Sequence, residues 1–269
     1  MQPDVSSPCP APPPWWRRGW MAIAWLTWME IVRSRQLLLC VLLLVLAPLA
    51  ATFAGRLAIT EADEIRLLLV ASGLRLGAVF LLALFIIFSM VREHNERAME
   101  LALAAAVPRW GYYLGKLLGY LLGALVLACA CSLVVATLAP LSAALLWGLS
   151  LACELGLLTC FTLFFVLIIP HTTAAGAGVA GFYLLGRSIA DIHRMALEAP
   201  LTAEHGVEAM FSGLLMYLLP DLSGFTRSEW LLMSPPPVEG TATVLLQTVV
   251  YAALLTAMSL IDLYRHQVT

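Results

Sequence analysis

Charge is what this sequence has least of. Of its 269 residues only 12% are Asp, Glu, Lys or Arg, whereas an ordinary soluble domain carries roughly a quarter. With 61% hydrophobic residues and a mean hydropathy of +0.90, a water-soluble fold of this length could not hide its apolar surface. Basic stripes are also missing: the net charge is -2 and no basic run exceeds a pair of arginines, which sets nucleic-acid binding aside. The cysteines, Cys9, Cys40, Cys129, Cys131, Cys153 and Cys160, show no CxxC or His-rich spacing. All but Cys9 lie in apolar runs, so packing is their expected role.

Catalytic signatures are lacking in the same way. Neither HExxH nor GxSxG occurs, and Glu93-His94-Asn95-Glu96 has no zinc-ligand spacing. A P-loop needs GxxxxGK[ST], so that backbone amides cradle phosphate and the hydroxyl holds magnesium. Gly111 to Leu117 is one residue short of that pattern and ends in Leu. ATP hydrolysis, if this protein depends on it, belongs to another subunit, and no cofactor is expected in this chain.

What is present is a series of apolar runs long enough to cross a bilayer, which takes about 20 residues. They predict an all-α polytopic membrane protein with six spans, at Leu37–Ala54, Leu67–Val91, Tyr112–Ala139, Leu141–Ile169, Thr172–Ala190 and Thr241–Leu263. Pro140 and Pro170 mark tight reversals at the two ends of the fourth. Residues 1–14 form a Pro-rich tail expected to be disordered, and residues 15–269 a single membrane domain. Within 15–35, Trp20, Ile23, Ala24, Trp28 and Ile31 recur at helical spacing, with Arg17, Arg18, Glu30, Arg33 and Arg35 elsewhere. That pattern reads as a helix in the membrane interface, or as an early start of the first span. Because the first long apolar run begins only near Leu37, a cleaved secretory signal is not expected.

Basic residues near span ends are retained on the cytoplasmic side. The balance favours both termini inside, with Arg92, Arg97, Arg109, Lys116 and Arg265 at the inner face. A soluble segment of about twenty residues then falls inside, between the second and third spans, and another, 191–240, falls outside. In the inner segment, Glu96 to Ala106 has helix-forming composition and Pro108 ends it. A short helix held between two spans suits docking of a soluble partner.

The stretch REHNERAMELALAAAVPRWGYYLGKLLGYL resembles the segment that follows the second span in ABC-2-type permeases, the membrane subunits of ABC transporters. Glu93, Glu100, Leu101, Pro108, Arg109, Gly115, Lys116 and Leu117 carry the match. Leu219-Pro220-Asp221-Leu222-Ser223-Gly224-Phe225 looks like the external segment that the family places after its fifth span. The order of elements agrees over nearly the full length, although Arg97-Ala98 stands where many members have Gly-Thr. The resemblance implies a coupling helix at Glu93–Val107, with Glu93, Glu96, Arg97, Glu100, Leu101, Leu103, Pro108 and Arg109 meeting an ABC ATPase subunit. It also implies a second permease copy, homodimeric or heterodimeric, ATP and Mg in the partner subunit, and most often export. The setting would be a bacterial inner membrane.

Ionisable side chains inside hydrocarbon are costly and mark functional candidates. Arg75 and Glu154 qualify, at depths of roughly 13 and 20 Å from the outer ends of their spans at about 1.5 Å per residue, close enough for a direct or water-bridged pair. They are either a substrate-path feature, in which Arg75 attracts an anionic headgroup, or a structural polar lock. In the fifth span, Ala174/Gly178 and Ala177/Gly181 permit close helix approach, and Arg187 and Asp191 are spaced to pair. Two other classes remain open: an intramembrane lipid-modifying enzyme using Glu154, His171 and His193, and a structural subunit of a membrane complex.

Overall fold

The computed structural model describes residues 19–57, 62–96, 108–198 and 241–265, together with Leu222, Phe225 and Leu231. Among these residues the secondary structure is helical, without strands. The helices are α1 (Gly19–Arg33), α2 (Gln36–Leu57), α3 (Ala62–Asn95), α4 (Arg109–Val135), α5 (Leu141–Ile168), α6 (Thr172–Glu198) and α7 (Thr241–Arg265). The N-terminal tail 1–14 and most of 191–240 lie outside the described residues.

Each boundary has a local cause. Pro108 and Pro140 sit at the N-caps of α4 and α5, where a missing N–H costs nothing and a fixed φ starts the helix. After α5, the backbone of Ile169 is extended ahead of Pro170, the conformation that a following proline imposes. Between α1 and α2 the chain makes a short turn, with the amides of Ser34 and Leu37 bonding to the carbonyls of Ile31 and Ser34. The hydroxyl of Ser34 also donates to Ile31.

Five helices, α2, α3, α4, α5 and α7, are long and apolar enough to cross a membrane. The remaining expected span, Thr172–Ala190, is also helical, within the 27 residues of α6. It falls short of that apolarity because its sequence is rich in glycine and threonine and contains Arg187. At about 1.5 Å per residue, the 34 residues of α3 reach roughly 50 Å, well beyond the ~30 Å of a hydrocarbon core. The acidic pair Asp63 and Glu64 stands in its first turn and Arg92 in its last.

Helix α5 is the hub, packing against α3, α4, α6 and α7. Trp147, Leu151, Leu155 and Leu163 are buried on it. By contrast, α2 and α7 each present a broad apolar face outward, with Leu38, Phe53, Leu246 and Val249 at least 65% exposed. In water such faces would be a liability, and in a bilayer they meet solvent of their own kind.

Helix α1 packs onto the bundle. It lies along the first half of α4, where Ile23, Thr27 and Ile31 meet Gly115, Gly119 and Gly123 in turn. Both helices advance four residues per contact, so they run side by side in the same direction for about two turns. A methyl group added at Gly115 would stand 2.7 Å from the Trp20 carbonyl oxygen, and one at Gly119 would stand 2.5 Å from the Thr27 Cβ. Only glycine permits this approach. The outward face of α1 keeps Met21, Trp25 and Leu26 exposed, so its apolar pattern serves two surfaces at once.

Candidate functional site

Two polar clusters interrupt the apolar bundle, one around the middle of α5 and the other where α1, α3 and α4 meet. The first is built on Arg75 of α3 and Glu154 of α5, which are 3% and 1% exposed. Arg75 Nη1 lies 3.2 Å from Glu154 Oε2 at an angle that makes the contact an ion pair rather than a hydrogen bond, since that oxygen has no hydrogen-bond donor. The guanidinium donates instead to the carbonyl of Phe225 and, at 3.3 Å, to the Ser150 hydroxyl, and it lies over the Trp147 ring at 5.2 Å. Ser150 donates to the same carbonyl.

Glu154 Oε1 accepts from Tyr183 of α6 at 3.0 Å, and Tyr183 in turn accepts from Arg187 at 3.0 Å. The result is a chain of polar groups running from α3 through α5 to α6. Arg75 and Glu154 each have the other as counter-charge and at least one further polar partner, the condition under which buried ions are tolerated. Phe225 is itself fully buried, and the Leu222 amide bonds to the Gly186 carbonyl of α6 at 3.1 Å. Phe225 thereby caps the Arg75 guanidinium, and Leu222 is tied to α6.

The second cluster joins α1, α3 and α4 on both sides of the 97–107 connection. Glu30 of α1 holds Arg92 and accepts from Ser89 at 2.7 Å. Tyr120 donates to Ser89 at 2.9 Å. Lys116 of α4 pairs with Glu93 and stands 3.8 Å from Glu30, with its ammonium 5.8 Å from the centre of the Tyr120 ring. The Tyr112 hydroxyl donates to the other Glu93 oxygen at 2.7 Å. Lys116 is 7% exposed and its two carboxylate partners about a fifth, whereas Arg92 is 59% exposed. Burial therefore puts most of the binding strength on Lys116, since a solvated pair such as Arg92–Glu30 contributes little.

Compared with protein-family models and with curated protein sequences, the chain matches none.

The residues expected to dock a partner separate into four groups. Glu93 belongs to the last turn of α3 rather than to a separate coupling helix, and both its oxygens are engaged within the chain. Glu96 is exposed just past the end of α3, its amide bonded to the Arg92 carbonyl. Pro108 and Arg109 open α4, and Arg109 lies over the ring of Tyr264 at 5.8 Å, so the start of α4 and the end of α7 share one end of the bundle. Arg97, Glu100, Leu101 and Leu103 lie outside the described residues.

Arg75 and Glu154 are brought together as a direct pair. Glu154 and His171 are not: His171 is exposed in the α5–α6 connection, seventeen positions on, about 25 Å along a helical path. The His193 and Asp191 side chains lie outside the described residues. In α6, Gly178 packs against the Phe165 ring of α5, while a Cβ on Gly181 would meet no other described element within 4 Å, so of these two glycines only Gly178 serves close contact within the chain.

Sequence reading missed Glu30, Ser89, Tyr120, Ser150 and Tyr183, and the backbone carbonyl of Phe225. Glycines recurring every fourth residue from Gly111 to Gly123 were the available signal for the α1–α4 contact, since small residues at that spacing let membrane helices approach closely.

Proposed function

We propose that this chain is the permease subunit of an ABC transporter, acting mostly in export and driven by a separate ATPase subunit that binds the 97–107 connection. The observation that carries the reading is the Lys116 cluster. It ties the two helices that flank this connection to each other through Glu93, and to α1 through Glu30. A push on a short connection is dissipated if its flanking helices move independently, and delivered to the bundle if they are clamped together. The sequence resemblance over Glu93 to Leu117 supplies the identity of the partner. Six crossings, cytoplasmic termini and a paired second copy are part of the same proposal.

Co-purification tests it. Membranes solubilised in mild detergent are expected to yield the chain together with an ATPase subunit, and reversing the charge of the connection with Glu96→Arg and Glu100→Arg is expected to release that subunit. Recovery of the intact chain without any ATPase partner would overturn the reading. Retention of the partner by the double variant would overturn the docking residues.

A further inference from the structure

A cavity of about 500 Å³ opens where the turn between α1 and α2 meets the last turns of α3. Its polar wall carries Arg33, the final residue of α1, Arg92 of α3, the hydroxyls of Ser34 and Ser89 and the carboxylate of Glu30, which is itself paired with Arg92, and its apolar wall is made by Phe85 and Phe88. We propose that this cavity binds the headgroup of an anionic phospholipid from the leaflet on the Arg92 side, with the phosphate against Arg33 and an acyl chain along Phe88.

Charge bookkeeping selects the ligand. The cluster beside the cavity contains the cations Arg33, Arg92 and Lys116 against the carboxylates Glu30 and Glu93. Glu30 is committed to Arg92, Ser89 and Lys116, and Glu93 to Lys116 and Tyr112. Among the described residues Arg33 is left exposed with no counter-charge. One cation is in excess, and a phosphate monoanion neutralises it through charge-assisted hydrogen bonds to the planar guanidinium.

The surroundings select a lipid over a soluble anion. Phe88 is 56% exposed beside Arg92, and α2 continues away from the cavity with Leu37, Leu38 and Leu39 all exposed. An anion that enters here has apolar surface on both sides, which a diacyl chain covers and an inorganic ion does not. The cavity volume lies within the range of sites that hold small organic groups. This inference rests on the helices crossing a membrane and not on the identity of any ATPase partner.

The test compares lipids of identical acyl chains. The full-length protein, in micelles doped with equal amounts of phosphatidylglycerol and phosphatidylcholine, is expected to retain phosphatidylglycerol preferentially when analysed by native mass spectrometry. Arg33→Gln is expected to lower that preference about fivefold, the effect of one basic residue at a lipid surface. Arg35→Gln, two positions away but outside the cavity wall, is expected to leave it within twofold. Because Arg33 is exposed and has no partner among the described residues, its replacement is expected to spare the fold, which helix content and monodispersity verify. An equal loss in both variants, or no preference in the parent protein, would overturn the site. Displacement of phosphatidylglycerol by millimolar inorganic phosphate would overturn the lipid as its occupant.

Discussion

Removing both partners of the Arg75–Glu154 pair is expected to cost clearly less than the sum of the two single removals. At 3.2 Å and an effective dielectric constant near 20, the Coulomb attraction is about 5 kcal/mol. Each buried ion has already lost several kcal/mol of hydration, so the pair as a whole contributes little net stability. A single substitution, however, strands the remaining charge, and breaking buried pairs costs about 3–5 kcal/mol. Glu154→Gln is expected near the lower end, because Arg75 keeps the Phe225 carbonyl and the Ser150 hydroxyl. Arg75→Met is expected near the upper end, because Glu154 is left with Tyr183 alone. The double variant Arg75→Met with Glu154→Gln should recover about 2–4 kcal/mol of the summed losses. Thermal unfolding in detergent reads this out, since 1 kcal/mol shifts Tm by about 2–4 °C for a chain of this size. Additive losses across the cycle would refute the pairing. Substrate-stimulated activity that disappears in Arg75→Met and in the double variant, while both remain folded, would return Arg75 to a role in the substrate path.

Other expectations follow from the α1, α3 and α4 contacts. The double variant Gly115→Ala with Gly119→Ala should loosen α1: overpacking typically costs 1–3 kcal/mol, at two sites here, against a helix-propensity gain of about 1 kcal/mol per position. Faster tryptic cleavage after Arg33 or Arg35 is the readout, and unchanged protection would show that α1 does not depend on these glycines. Lys116→Met leaves Glu30 and Glu93 without their shared cation and should destabilise by about 1–3 kcal/mol, discounting a fully buried pair for partial solvation. Arg92→Gln, at a largely exposed side chain, should stay within about 1 kcal/mol. The reverse order in unfolding measurements would mean that the cluster is organised around Arg92 instead.

Burial also changes how the intramembrane charges are understood. From sequence, Arg75 was equally a candidate for attracting an anionic headgroup and for a structural lock. With a carboxylate, a carbonyl, a hydroxyl and an indole ring around it, the guanidinium has no free face, and the lock is the reading that this conformation favours. At the turn between α1 and α2, Arg33 combines exposure with a charge unpaired among the described residues, which makes it the better candidate for an anionic partner.

The sequence by itself determined the helical, membrane-type character of the chain and the approximate ends of its helices. Those properties are local: apolar length, the prolines at 108, 140 and 170, and charges at helix ends can all be read along one dimension. The expected start at Leu141 agrees with α5 to the residue, with Pro140 at the N-cap. Only the tertiary structure decided that Glu93 closes α3, that α1 lies along α4, and that Arg75 is held by a backbone carbonyl 150 residues away. In lipid, apolar surface does not choose one helix partner over another. Close approach at small residues and hydrogen bonds between helices make that choice, and both depend on which faces meet rather than on how apolar each one is.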